Sequence, residues 1–360
     1  MDTIKVVHII SSLGRGGRER QLATIYKYSD KEKIKTKIIC FTRFNNSYVD
    51  EYNMGNDVFF LTNKTKSRQF FEIKKIIQTE EASIVWTWGS IEASYGVLLS
   101  LIPGVKHING SIRHGIVRFN KHQLWRLLVL HLSKNIVANS FAGLRANLIK
   151  RGRVLRNGID NNFFIRPGKE GSLLRKEFGI NNDTILLTSI ANLVPYKDYD
   201  TVLNALNRIK IKGIQFHYLA IGEGSERKRI EELAESLNLS TDVSFPGYRT
   251  GIKDILYSSD IFIHSSLGEG CSNAILEAMA AGLPIIASDT GGTKEIVDSS
   301  IGRLFEFQNV EQLENTILEL ISNKSLRAQL AENSKKKALS DFSIERMISD
   351  YYKIIEEVEK

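Results

Sequence analysis

Glu269 and Glu277 stand eight positions apart in the segment SSLGEGCSNAILEAMAAGLPIIASDTGGTKEIV, residues 265–297, and their surroundings set the chemistry open to them. The apolar run Ile261, Phe262, Ile263 predicts a buried strand. The small, helix-favouring residues from Ser272 to Ala281 predict the helix that follows. Glu269 then falls on the connecting loop, and Glu277 lies about one and a half turns into the helix. The amides of Gly270, Cys271, Ser272 and Asn273 sit at the helix start, where unpaired N–H groups and the positive end of the dipole attract phosphate. Glu277 can accept two hydrogen bonds from a vicinal diol such as a ribose, and Glu269 can reach a sugar beyond the phosphates. The arrangement suits a sugar nucleotide. The plainer alternative is a carboxylate that only complements the helix dipole.

This segment resembles the retaining glycosyltransferases of the GT-B fold (glycosyl transferases group 1, glycosyltransferase family 4), whose signature is Glu, seven residues, Glu. The resemblance runs through nearly the whole chain. Its anchors are HIISSLGRGGRERQL at residues 8–22, Asn157-Gly158-Ile159-Asp160, NLVPYKDYDTVLNAL from Asn192, and AIGEGSERKRIEELA from Ala220. It implies an α/β fold of two Rossmann-like, doubly wound parallel-sheet domains facing a cleft, with acceptor bound mainly by the first and nucleotide-sugar donor by the second. The domains are expected at residues 1–163 and 164–342, with a C-terminal helix, 343–360, crossing back to the first.

Elements read from the chain agree with that plan. Strands alternate with amphipathic helices, which implies parallel sheets covered on both faces. At 360 residues and 42% apolar, the chain can fill two separate cores. Strand Ile4–Ile10 leads into the loop Ser11–Gly17 and a helix from about Arg18. Gly16 and Gly17 let backbone approach a ligand; the family places such glycines near the distal phosphate and sugar, the alternative being a structural turn. As a dinucleotide fingerprint the loop fails, because the next strand ends Cys40-Phe41-Thr42 without a ribose-binding acid.

The loop after the strand Ile185–Ile190 carries Asn192 and Lys197. By resemblance this loop supplies an arginine and a lysine that neutralise the donor diphosphate as it leaves. Lys197 fits, with a surface lysine as the alternative, but Asn192 occupies the arginine position and brings no charge. Tyr248 and Arg249 would contact the base through their backbone. His114 in NGSIRHG matches the family's histidine at the donor sugar, or else serves as an ordinary loop hydrogen-bonder, and Arg113 beside it would meet acceptor phosphate. The catalytic set implied is Glu269, Lys197 and His114. No metal-ligand spacing occurs, and neither a metal nor a cofactor is expected.

Charge divides sharply along the chain. Residues 1–163 hold 26 Lys and Arg against 12 Asp and Glu, a net of +14, whereas residues 164–360 hold 23 against 29, a net of −6. From Ala93 to Ile159 there are eleven basic residues and no acidic one. Such a field favours polyanions: acidic headgroups, a lipid pyrophosphate or nucleic acid. Within it KHQLWRLLVLHL, residues 121–132, crowds more than one helical stripe with apolar residues. It reads either as a helix lying on a membrane, with Arg118, Lys121, Trp125 and Arg126 at the surface, or as a core helix. No apolar run reaches the roughly 18 residues needed to span a bilayer, and no signal peptide opens the chain. A cytoplasmic enzyme is expected, in peripheral contact with anionic membrane.

The sequence therefore favours a transferase moving a sugar, preferentially from a UDP donor, to a lipid-linked glycan acceptor of a surface polysaccharide. A nucleotide-sugar epimerase of the same fold would explain the donor half but not the basic, Trp-containing span. A nucleic-acid-binding protein would leave Glu269 and Glu277 idle and lacks a binding motif.

Overall fold

The computed structural model describes residues 3–45, 47–116, 121–168 and 171–360, excepting the side chains of 121–123 and 171–173. The chain forms two compact units, one of Met1–Gly158 with Ile344–Lys360, the other of Ile159–Ser343.

The first unit contains β1 (Ile4–Ile10), β2 (Ile34–Cys40), β3 (Val58–Phe60), β4 (Ile84–Thr87), β5 (Lys106–Ile112), β6 (Asn135–Ala138) and β7 (Arg153–Val154). They form a parallel sheet in the order β3-β2-β1-β4-β5-β6-β7, in which β1 pairs residue for residue with β2 from Ile4↔Ile34 to Ile10↔Cys40. The central strands β1 and β4 are largely apolar because helices cover both faces. Val6, Ile10, Leu22, Ile25 and Trp86 fill one face, and Val7, Ile9, Ile73, Tyr95 and Leu99 fill the other.

The helix Ile344–Glu359 completes the first of these cores. Its buried residues Met347, Ile348, Tyr351, Ile354, Ile355 and Val358 recur at three- and four-residue spacing, so one stripe faces inward. Tyr351 reaches His8 on β1, where His8 Nε2 lies 3.0 Å from the phenol oxygen. The Trp88 indole N–H donates to His8 Nδ1 at 3.0 Å, which leaves the ring proton on Nε2 to donate to Tyr351.

The passage between units falls at Gly158–Ile159, ahead of the boundary expected after residue 163. The cause is hydrogen bonding. Gly158 N–H donates to Gln21 Oε1 at 3.0 Å, while the next amide, Ile159, donates to Phe342 O at 2.9 Å. Phe163 and Phe164 then pack into the core that holds Leu276 and Met279.

The second unit contains β8 (Ile185–Ile190), β9 (Phe216–Ile221), β10 (Val243–Gly247), β11 (Ile261–His264), β12 (Ile285–Ser288) and β13 (Gly302–Phe305), paired in parallel in the order β10-β9-β8-β11-β12-β13. Strand order reverses at β8, which has β9 on one side and β11 on the other. In such sheets the loops at the carboxyl ends part at the reversal and leave a crevice suited to ligands.

The apolar span in the basic region forms the helix Lys121–Leu132. Val129 and Leu130 are buried, whereas Leu124, Trp125, Leu128 and Leu132 face outward. Trp125 also donates its indole N–H to Ser94 Oγ at 3.0 Å. Arg126 does not stand at the surface as the interfacial reading expects. It is half-buried and donates to Asn147 Oδ1 at 2.5 Å, because the polar end of the long side chain finds an amide inside the unit. Arg118 and the side chain of Lys121 lie outside the described residues. No helix among the described residues is long and apolar enough to cross a membrane.

Candidate active site

Two loops meet at the carboxyl edge of the second sheet, one after β8 and one after β11. The first ends in a short 3-10 turn, Pro195–Lys197, opened by a proline whose fixed φ suits a first helical position. Asp198 follows in the left-handed region (φ 40°, ψ 51°), a conformation that costs a residue with a Cβ about 1 kcal/mol. Its carboxylate offsets that cost. Oδ1 accepts from Thr201 and caps the helix Tyr199–Ile211, and Oδ2 accepts from the Ser265 hydroxyl at 3.0 Å. Asp198 thereby ties the first loop to the second and fixes the residue before it, Lys197.

The second loop is pinned from both sides. Leu267 N–H donates to Tyr196 O at 2.8 Å, and Gly292 N–H donates to Glu269 O at 2.8 Å. Ser288 on β12 accepts from Ser266 N–H and donates to Ser266 O, at 2.9 and 2.8 Å. Gly291 has φ 54°, and a Cβ there would lie 2.4 Å from Glu269 O. Only glycine allows the turn to press so closely on the Glu269 loop.

Between these loops Lys197 donates to Glu269 Oε1 in an ion pair, although only 7% of the lysine is exposed. Below the pair lies His264, the last residue of β11, 2% exposed, with Nε2 3.4 Å from Glu269 Oε2. Its ring stacks on Phe262 with centroids 6.4 Å apart. Lys197, His264, Ser265, Ser189, Tyr199 and Tyr218 line a cavity of about 10 Å³, room for about one water.

Electrostatics follow from this packing. Burial raises the Glu269 pKa, but Lys197 and His264 more than offset it and hold the carboxyl well below its usual 4.5. Burial and then Lys197 lower His264 from 6.5, against the pull of Glu269, so the imidazole is neutral at physiological pH. Burial raises Asp198, opposed by its bonds from Thr201 and Ser265. A buried cation on a partly buried anion is costly to desolvate and seldom stabilises a fold on balance. Its value here is chemical: an ammonium held at a strand-order reversal, beside helix-start amides, is placed to meet phosphate.

Gly270, Cys271 and Ser272 are buried in the same loop, and the helix Asn273–Ala280 begins directly after them. Glu277 lies in its second turn, 4% exposed. Asn192 is exposed on the β8 loop. The Gly222-Glu223-Gly224 loop packs against that loop, since a Cβ on Gly222 would fall 2.0 Å from Ala191 O. Tyr248 is exposed, while Arg249 pairs with Glu177 and lies 5.4 Å over the Phe178 ring.

In the first unit the expected residues gather at the corresponding edge of the other sheet. Gly16 and Gly17 are exposed at the start of the helix Gly17–Tyr28, and the Glu19 carboxylate folds back over Gly16. Arg18 donates to Ser11 Oγ at 2.7 Å and to Trp88 O at 3.3 Å, joining the loops after β1 and β4. Arg113 lies 4.4 Å over the Trp88 ring, and His114 is exposed beside it.

Two residues of the second unit's cluster were not singled out from sequence. Asp198 had a legible signal, the N-cap spacing Asp198-x-x-Thr201. His264 had only its place as the one polar residue ending the apolar run Ile261–Ile263, which does not separate a site residue from a core histidine.

Residues 172–337 match the family model described as glycosyl transferases group 1. EpsF of Bacillus subtilis, named a glycosyltransferase, is 26% identical over 317 residues, which cover 83% of this chain and 82% of that one. An Escherichia coli UDP-Gal:alpha-D-GlcNAc-diphosphoundecaprenol alpha-1,3-galactosyltransferase is 27% identical over 199 residues, 54% of this chain and 51% of that one. Among solved structures, Anabaena Alr3699/HepE in complex with UDP superposes with a TM-score of 0.86 at 20% identity, over 98% of this chain and 100% of that one. The same protein in complex with UDP-glucose gives 0.84.

Proposed function

We propose that this glycosyltransferase, a GT-B protein that belongs to the glycosyl transferases group 1 family, takes its sugar from a UDP donor and passes it, with retention, to a lipid-linked glycan. The observation that carries the donor half is the Lys197–Glu269 pair at the β8 reversal, beside the amides of Gly270–Asn273. Lys197 neutralises the diphosphate, the amides cradle it, Glu277 accepts from the ribose diol, and Glu269 accepts from hydroxyls of the sugar. The bond from the anomeric carbon to the phosphate oxygen breaks while the acceptor hydroxyl bonds to the same face. The hydroxyl proton passes to the departing phosphate oxygen, giving nucleoside diphosphate and glycoside. No protein nucleophile takes part, so the residues act by positioning and charge. With Asn192 where the family places an arginine, Lys197 carries the larger part of leaving-group stabilisation.

UDP is favoured over other bases because the Anabaena neighbour holds UDP and UDP-glucose and the E. coli relative's name specifies UDP-Gal. That relative's diphosphoundecaprenol acceptor also motivates the lipid-linked one. On the acceptor side, Leu124, Trp125, Leu128 and Leu132 face outward inside a span rich in Lys and Arg and free of acid, a combination suited to anionic lipid.

A thermal-shift panel of UDP, GDP, ADP, CMP and their sugar conjugates tests the donor assignment. A ligand at a hundred times its Kd adds about 2.7 kcal/mol. Stabilisation by uridine nucleotides alone, lost in Glu277→Ala, is expected; stabilisation by guanosine nucleotides instead would reassign the base. For the membrane, binding to anionic vesicles should fall with salt and in Leu124→Ser/Leu128→Ser. Equal binding to neutral vesicles at high salt would defeat it.

A further inference from the structure

Two side chains face the Glu269 carboxylate on different oxygens: Lys197 holds Oε1, and His264 Nε2, which makes no hydrogen bond among the described residues, lies 3.4 Å from Oε2. Lys197 is also the group that the proposed function assigns to the donor diphosphate. One ammonium cannot serve a carboxylate and a doubly charged diphosphate equally, and the larger charge wins. When Lys197 turns to the diphosphate, Glu269 loses the contact that fixes its side chain. It must nevertheless keep its direction to accept from the sugar.

We infer that His264 is a positioning residue that keeps Glu269 aimed at the donor sugar after Lys197 has moved to the diphosphate. The inference rests on the assignment of Lys197 and Glu269 made above. The ring is suited to the task because its own freedom is small: it is 2% exposed, stacked on Phe262, and rooted at the last residue of a strand bonded on both sides, to β8 and β12. A neutral imidazole can donate one N–H to the carboxylate without adding a second cation beside Lys197. Among the described residues, the other charged or titratable groups around it include Lys197 itself, the phenols of Tyr199 and Tyr218 that line the shared cavity, and Asp198. The Asp198 carboxylate is already engaged, Oδ1 by Thr201 and Oδ2 by Ser265. Nothing in this arrangement requires His264 to touch the substrate.

The role separates from a purely structural one because UDP carries the diphosphate but no sugar. The experiment is calorimetric titration of UDP and of UDP-glucose, UDP-galactose and UDP-N-acetylglucosamine into wild type, His264→Leu, His264→Gln and Glu269→Gln, with kcat and KM for the sugar that binds tighter than UDP. In His264→Leu, UDP affinity should stay within about twofold, whereas the advantage of the UDP-sugar over UDP should shrink about tenfold, the value of one hydrogen bond to a charged group. His264→Gln, which restores an N–H donor, should recover most of it. Equal losses for UDP and UDP-sugar in both variants would show a packing role and overturn the inference. So would a sugar advantage that Glu269→Gln abolishes and His264→Leu leaves intact, which would retain the proposed function and reject His264 alone. A folded wild type that binds neither UDP nor any of the three conjugates would overturn both together.

Discussion

His8 and His264 invite comparison. His8 lies on β1, where the order of its sheet reverses, His264 lies on β11 beside the reversal strand β8, and each is almost wholly buried. Burial lowers both from 6.5, His8 to about 3. What they face differs. His8 is bonded on both nitrogens by neutral partners, the Trp88 indole and the Tyr351 phenol, and so pins the helix Ile344–Glu359 to β1. His264 faces a charged pair, Lys197 and Glu269, to which the proposed function gives work with a ligand. A buried histidine is thus marked as structural or functional by its partners and not by its burial. The same contrast runs through the two sheet edges. One gathers Arg18, Arg113 and Trp88 in a basic unit, and the other encloses an ion pair within the acidic half of the chain.

The comparison breaks first if Lys197 is dispensable. Lys197→Ala should lower kcat about 10²- to 10³-fold, as for removal of a group that stabilises developing charge, with a smaller change in donor affinity. Unaltered turnover would remove the lysine from the mechanism and make the Glu269 cluster as structural as that of His8.

The complementary change is His8→Leu, which leaves the Trp88 indole N–H buried without its acceptor and the Tyr351 hydroxyl without its donor. A loss of about 2–4 kcal/mol in denaturant unfolding is expected, with kcat of the folded fraction nearly unchanged. The pH profile sharpens this test. The unfolded chain binds protons at His8 from about pH 6.5, whereas the folded chain does so only near 3, and His107, lowered by burial to about 4, behaves similarly. More protons on the unfolded state mean that stability is lost as pH falls from 6.5 toward 3. His8→Leu should make that decline shallower. An unchanged slope would show that His8 is not held neutral.

Gly291→Ala carries the smallest effect. A methyl 2.4 Å from Glu269 O should push the loop and cost about 1–2 kcal/mol, with KM for the donor rising a few-fold. Full stability with normal KM would mean that the loop yields freely and that its geometry is not held by the turn.

The positions of the residues proposed to hold the donor were legible because their signals are local. Glu269 and Glu277 are placed by the strand Ile261–His264 and the helix Asn273–Ala280, and both elements are written in apolar runs and small residues. The family resemblance added Lys197, which the structure buries against Glu269. The acceptor side was less legible. Lys121–Leu132 is apolar on more than one stripe, and only packing decided that Val129 and Leu130 go in, that Leu124 and Leu128 face out, and that Arg126 turns to Asn147. His114 and Asn192 are exposed, whereas Lys197 is buried.

The sequence by itself determined what depends on neighbours along the chain: strand and helix periods, the proline turn before Lys197, the N-cap at Asp198, the glycines that let loops turn, and the charge division. Tertiary structure decided what depends on strand order. Lys197 and Glu269 are 72 residues apart and meet because β8 pairs with β11 rather than with its successor alone. His8 and Tyr351 are 343 apart and meet because the last helix buries its apolar stripe in the first unit. Periodicity specifies which face of an element is apolar. Which other element covers that face is settled by the packing of the whole sheet, and the partners of His264 and His8 follow from that choice.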